Sequence, residues 1–208
     1  MKDSQDATEG RTDWRRFAVA VGLPTVAAGV LVAGVASGAV AANFSVSGTQ
    51  FKLSADRLEG EGFTQYSGQL PTETVQKQTG AKYLVAAKSG IKSADIYNLC
   101  QTVAVGPVVL RIEAGKDPDR PVHADDLLIG MSELSGDATF TDIAIGQDAS
   151  TLNRADPVPR GDVGGFGQQA KHVTIENLHQ IAYSTSASTF KLTGMSLKLH
   201  VGDGTQCF

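Results

Sequence analysis

Hydrophobic and polar positions along this chain follow two regimes that meet at Asn43. Upstream, Phe17–Ala42 (FAVAVGLPTVAAGVLVAGVASGAVAA) holds no charged side chain. It exceeds the roughly 20 apolar residues that a helix needs to cross a hydrocarbon core of about 30 Å. Downstream the period drops to two. Phe44 and Val46 alternate with Ser45 and Ser47, and Phe51, Leu53 and Ala55 with Lys52 and Ser54, the pattern of half-buried strands. Gly60-Glu61-Gly62 reads as a turn and Phe63–Tyr66 as the returning strand. Residues 67–80 read as a loop in which Thr72–Gln78 is the most helix-tolerant piece.

Further strands are predicted at Tyr83–Ala87, within Ile91–Val105, at Pro107–Ile112, around Leu127, Ile129 and Met131, and at Ala138–Ile145 after a Ser135-Gly136-Asp137 turn. Ala114–Pro121 is a polar loop, and residues 146–170, rich in Gly and Pro, form the longest irregular stretch. Met195, Leu197, Leu199 and Val201 alternate with Ser196, Lys198 and His200 as the cleanest strand. No window beyond residue 42 shows a 3.6-residue period. The predicted fold class is therefore mainly β: a single N-terminal transmembrane helix followed by one all-β domain outside the cytoplasm.

A loose echo runs through that domain. Ala55-Asp56-Arg57-Leu58, Ala94-Asp95 with Leu99, Ala124-Asp125-Asp126-Leu127 and Val173–Leu178 each lead into an expected turn. Its spacing is too irregular for a solenoid period. A meander of hairpins or an irregular β-helix fits it, with a β-sandwich as the alternative.

The division predicted is a cytoplasmic tail (1–16), a membrane segment (17–42) and an outer domain (43–208). Residues 1–16 are polar, with Trp14 placed to sit at the membrane interface. Arg11, Arg15 and Arg16 precede the apolar run and set the N-terminus inside by the positive-inside rule. Ala39-Val40-Ala41 also fits the cleavage site of a secretory signal, so a cleaved signal competes with an uncleaved anchor. The apolar run is longer than the usual signal core of about 7–15 residues, which favours the anchor. Gly34 and Gly38 form a small-xxx-small pair on which membrane helices pack closely; the plainer reading is a weakly hydrophobic, Gly/Ala-rich signal.

Charge and cysteines narrow the classes. With 18 basic against 22 acidic residues, a net of −4, and no Lys/Arg cluster after Arg16, a nucleic-acid partner is excluded. Cys100 and Cys207 are the 2 cysteines. In an oxidising compartment they most simply pair, two buried free thiols being the other reading. No C-x-x-C spacing points to redox chemistry.

Several runs carry a resemblance: Asn98-Leu99-Cys100-Gln101, Leu134–Phe140, Ile145–Ser150, Phe166–Ala170 and Cys207-Phe208. On these, the whole chain resembles an uncharacterised family of streptomycete membrane-anchored proteins. Some members carry a cholesterol esterase label, and they often seem to be encoded beside a small multispanning membrane protein. The resemblance brings no catalytic residues with it and implies that small membrane protein as a partner.

The chemistry itself finds little footing. A serine esterase elbow needs G-x-S-x-G, and the nearest runs, around Ser132 and Ser196, lack the second glycine. His123, His172, His179 and His200 are scattered. Gly165–Ala170 formally matches G-x-G-x-x-A, but the loop before it is not the strand that a dinucleotide site requires. Asp117, Asp119, Asp125 and Asp126 offer oxygen ligands without EF-hand spacing, and no set has zinc spacing. No catalytic residue, metal or cofactor is expected.

The functional expectation is a non-enzymatic, membrane-tethered envelope protein. It acts in assembly or partner binding at the outer face, as a homo-oligomer or with the small membrane protein, and in contact with membrane lipid. A β-groove for lipid or an apolar small molecule is the alternative, and an esterase the further one.

Overall fold

The computed structural model describes residues 48–72, 83–202 and 205–208. The chain divides into two units, Met1–Phe44 and Ser45–Phe208, and every described residue belongs to the second. Arg11, Arg15, Arg16, Gly34, Gly38 and the expected transmembrane segment lie outside the described residues, as does the Thr72–Gln78 piece after Thr72. Among the described residues no helix is long and apolar enough to cross a membrane. The structure there is mainly β, in line with the two-residue period.

Four strands carry the fold: β1 (Phe51–Pro71), β2 (Tyr83–Tyr97), β5 (Val122–Thr141) and β7 (Phe166–Ser186). All are longer than the roughly 3–10 residues usual for strands. Shorter ones fill in: β3 (Leu99–Val105), β4 (Val108–Ala114), β6 (Ala144–Asp148), β8 (Thr189–Lys191) and β9 (Ser196–Val201). Every pairing is antiparallel and all nine strands belong to one sheet. The parallel coils of a β-helix and the separate sheets of a sandwich are thus absent among the described residues. The meander survives in the β1–β2 and β3–β4 hairpins.

The long strands close into a ring, because β1 pairs with β2, β2 with β5, β5 with β7, and β7 with β1 again. One circuit runs from Ser67 to Ala87, Met131 and Ala182, and returns to β1 at Phe51. That large stagger is the steep tilt a barrel of so few strands needs to enclose side chains. Inside lie Leu53, Leu58, Phe63, Ile91, Leu99, Leu127, Met131, Ile175 and Leu178, and Phe63 meets Phe140 at a centroid distance of 5.3 Å. Burying side chains of this size stabilises by about 1.5–3 kcal/mol each, before entropy.

The turns expected at Gly60–Gly62 and Ser135–Asp137 are instead positions inside β1 and β5. Likewise, strand continues to Pro71 where a loop is expected, and β2 is unbroken between Ala87 and Ile91. The physical reason is a set of left-handed residues at which the chain stays extended. Gly62, Asp126 and Asn177, within strands, and Asn98 and Asp142, at the ends of β2 and β5, all have positive φ. The β1–β2 ladder steps from Glu61–Ser93 to Phe63–Ile91 over Gly62, and the β2–β5 ladder steps over Asp126. Each such residue shifts the alternation by one, so a continuous strand reads in sequence as two. After four of them the next residue is driven into the core, Phe63, Leu99, Leu127 and Leu178 all being buried, whereas Ile143 after Asp142 is exposed. The sequence echo has this meaning, with kinks in place of turns. Its side chains also bond across strands, Asn98 Nδ2 donating to both Asp56 carboxylate oxygens (3.1 Å each) and Asn177 Nδ2 to Asp137 (2.9 Å).

The irregular stretch expected over 146–170 is shorter in the structure, running from a one-turn 3-10 helix at Ala149–Thr151 to Gly165. Asp148 accepts from the Ser150 and Gly164 backbone N–H groups, which hold its carboxyl below the usual range. Tyr66 donates to the Pro159 carbonyl at 2.7 Å. Burial, with the Asp162 charge nearby, pushes that phenol up to about 12. Phe166–Ala170 opens β7, so the G-x-G-x-x-A run feeds a strand and lacks the helix N-terminus that would cradle a phosphate.

Candidate interaction surface

β3, β4 and β9 extend the sheet beyond β1 as a three-stranded flap, with β9 at the open edge. Register assigns its two sides. Gln101, Val103 and Val105 of β3 share a face with Val108, Leu110 and Ile112 of β4 and Leu197, Leu199 and Val201 of β9. This face continues the barrel's inner side, since Leu53, in the core, and Phe51, packed against it, stand opposite Gln101 and Val103. Leu99 and Ala114 at its root are fully buried. Moving outward, cover is lost: Leu110 and Ile112 are half-buried, then Leu197 is 52%, Val105 66%, Leu199 68% and Val201 86% exposed. Scattered apolar residues on a surface need no explanation, but a contiguous aliphatic face on an edge sheet marks an interaction site.

The polar side of the flap is the covered one. Residues 205–208 lie along it, stapled by the Cys100–Cys207 disulfide that the cysteine count predicts. Arg111 Nη1 donates to the Thr205 carbonyl at 2.9 Å, and the Cys207 N–H to Thr102 Oγ1 at 3.4 Å. Lys52 Nζ donates to the Phe208 carbonyl at 2.8 Å, and the Phe208 ring packs on His179 with centroids 4.6 Å apart. Arg111 also binds Glu113 at 3.0 Å, and with Lys116 it holds that carboxyl below its ordinary range. The flap is thus braced from its polar side and bare on its apolar side.

Residues 47–208 match a family described as a family of unknown function, DUF6230. The chain belongs to that family. Comparison with curated proteins and with solved structures returned no match.

Elsewhere in the DUF6230 domain the residues weighed for chemistry sit apart. Ser132 Oγ accepts from Gln50 Nε2 at 2.9 Å and donates to the Ile181 carbonyl at 3.3 Å. Ser196 lies on β9 opposite Glu113. Asp119 N–H bonds the Asp117 side chain in a local turn, and Asp126, within β5, accepts from Ser188 Oγ. Among the described residues no group of three or more His, Cys, Asp or Glu side chains is placed to hold a metal ion. A concavity of about 410 Å³ is bounded by Tyr66, Val85, Ala86, Met131, Ser132 and Phe166.

His123 is held between two carboxylates, with Nδ1 2.8 Å from Asp95 and Nε2 3.2 Å from Asp125. A neutral ring would turn a lone pair toward one of them, so protonation is favoured. The Asp95 hydrogen bond above all raises the pKa; desolvation comes next and opposes it, and the charges of Asp95 and Asp125 add to the rise. The sign follows: this stabilisation is complete below the unfolded value of about 6.5 and is lost as pH rises through the raised folded value. His123→Gln is therefore expected to flatten the fall of Tm with pH above about 6.5, checked by thermal scans from pH 5 to 9. Equal slopes in both proteins would remove the ion pair from the account.

The flap strands are legible in the sequence, but their exposed side is not. The alternation marks β9 correctly as a strand but offers no way to tell its apolar side from core. One signal exists in Val105-Gly106-Pro107-Val108, where two valines flank a tight turn, a place where polar residues are usual.

Proposed function

We propose that this DUF6230 member is a non-enzymatic, membrane-tethered envelope protein that works by docking its apolar flap against a partner at the outer face of the membrane. The apolar flap face carries this reading. A domain this well braced on the other side leaves its aliphatic side open at some cost in solubility, which a partner would offset. The Phe17–Ala42 run supplies the tether, and Arg11, Arg15 and Arg16 its orientation. Membrane anchoring and a streptomycete envelope setting are also what the family resemblance implies. Gly34 and Gly38 add a packing face for self-association or for a small membrane protein.

A second reading, capture of an apolar small molecule, is favoured by the concavity beside Tyr66 and Phe166, whose volume of about 410 Å³ falls in the ordinary range for ligand sites.

Hydroxyl-radical footprinting tests the first reading. Radicals generated outside intact cells are expected to oxidise Val163, which is 85% exposed, but to spare Met195, which is 54% exposed and immediately precedes β9 of the flap. In purified protein in mild detergent both should react. Oxidation of Met195 in cells at its purified rate would overturn docking, and protection of the whole domain would overturn the outward topology.

A further inference from the structure

We propose that the partner covering the flap is the lipid surface itself, so that the apolar face lies in the interfacial layer of the bilayer holding the tether. This rests on the tether reading of Phe17–Ala42. β1 enters the sheet antiparallel to β3, with Phe51 opposite Val103 and Lys52 opposite Thr102. The start of β1 therefore lies at the Val105 end of the flap, beside the Gly106-Pro107 turn. Only residues 43–50 separate the apolar run from β1, a reach of at most about 28 Å. The covalent link thus limits how far the start of β1 can stand from the tether.

The flap's turn end is also where cover is least, with Val105 66% and Val201 86% exposed on either side of Val108. The chemistry points the same way. No charged side chain stands on this face, and its members are Val, Leu and Ile with Gln101 at the root. Protein interfaces are enriched in aromatics and Arg, which this face lacks. A second copy pairing along the β9 edge would satisfy backbone groups yet leave the face bare. An aliphatic surface without a basic rim fits neutral lipid, where burial of apolar area drives interfacial binding.

The test uses the full chain reconstituted in phosphatidylcholine vesicles, with or without bromine in the acyl chains. In a Trp14→Phe background, which removes the chain's 1 tryptophan, Leu199→Trp reports on the flap and Val163→Trp on the far loop. Both positions are well exposed, so folding should tolerate the change. Bromolipid is expected to quench L199W about twofold and to leave V163W nearly unchanged, since interfacial groups sit within about 5–10 Å of the acyl boundary. Vesicle flotation without selective quenching of L199W overturns the lipid assignment and leaves the tether standing. Unquenched L199W together with a chemically cross-linked dimer overturns it in favour of a second copy. A chain that does not float with the vesicles overturns the tether and this inference together.

Discussion

Changing Cys100 and Cys207 together to serine is expected to lower the unfolding free energy by about 4–5 kcal/mol. The disulfide spans 107 residues, so its loss frees a long loop in the unfolded chain, and the loop-closure model gives that size. The native state suffers locally as well. The tail would keep its bonds from Arg111, Thr102 and Lys52, but these lie near the surface and would fray. Urea unfolding of the oxidised protein and the C100S/C207S variant in mild detergent measures the difference. A loss below about 1 kcal/mol would mean that the three tail contacts hold residues 205–208 unaided.

Gly62→Ala is expected to cost about 3–4 kcal/mol, combining a left-handed backbone with overpacking. Gly62 has φ of +67°, and a Cβ there would stand 2.2 Å from the Arg154 carbonyl oxygen and 2.9 Å from Lys92 Cβ. The loop carrying Arg154 is itself held by Gln169 Oε1, which accepts from the Asn153 and Arg154 N–H groups. It has little freedom to retreat. Gly106 separates the two causes, since its φ is +59° but nothing lies within 4 Å of a Cβ. Gly106→Ala should therefore cost only about 1 kcal/mol, the backbone part alone. Equal losses in the two variants, read by the same urea titration, would refute the steric account of the loop against β1.

These two sites show how far the sequence carries. The disulfide was legible because the sequence holds 2 cysteines, which leave one intrachain pairing. Strand content was legible because Phe51, Leu53 and Ala55, or Leu127, Ile129 and Met131, alternate in steps of two. The closure of four long strands was not. Gly62, Asp126 and Asn177 are residue types that end strands elsewhere, and here they kink strands that continue, so local chemistry reads as punctuation while the pairing partners decide otherwise. The flap was illegible for a different reason. Leu197, Leu199 and Val201 carry the pattern of a core-facing strand, and only the position of β9 at the sheet edge, with the tail braced against the opposite side, turns that pattern outward.

Equilibrium unfolding of Leu199→Thr decides whether that face is open. Threonine keeps the β propensity of the site, so the measurement reads burial alone. An open docking surface predicts a stability within about 0.5 kcal/mol of the parent chain. A loss of about 2 kcal/mol or more, as for truncating a core leucine, would show the flap packed against its own chain and contradict the account.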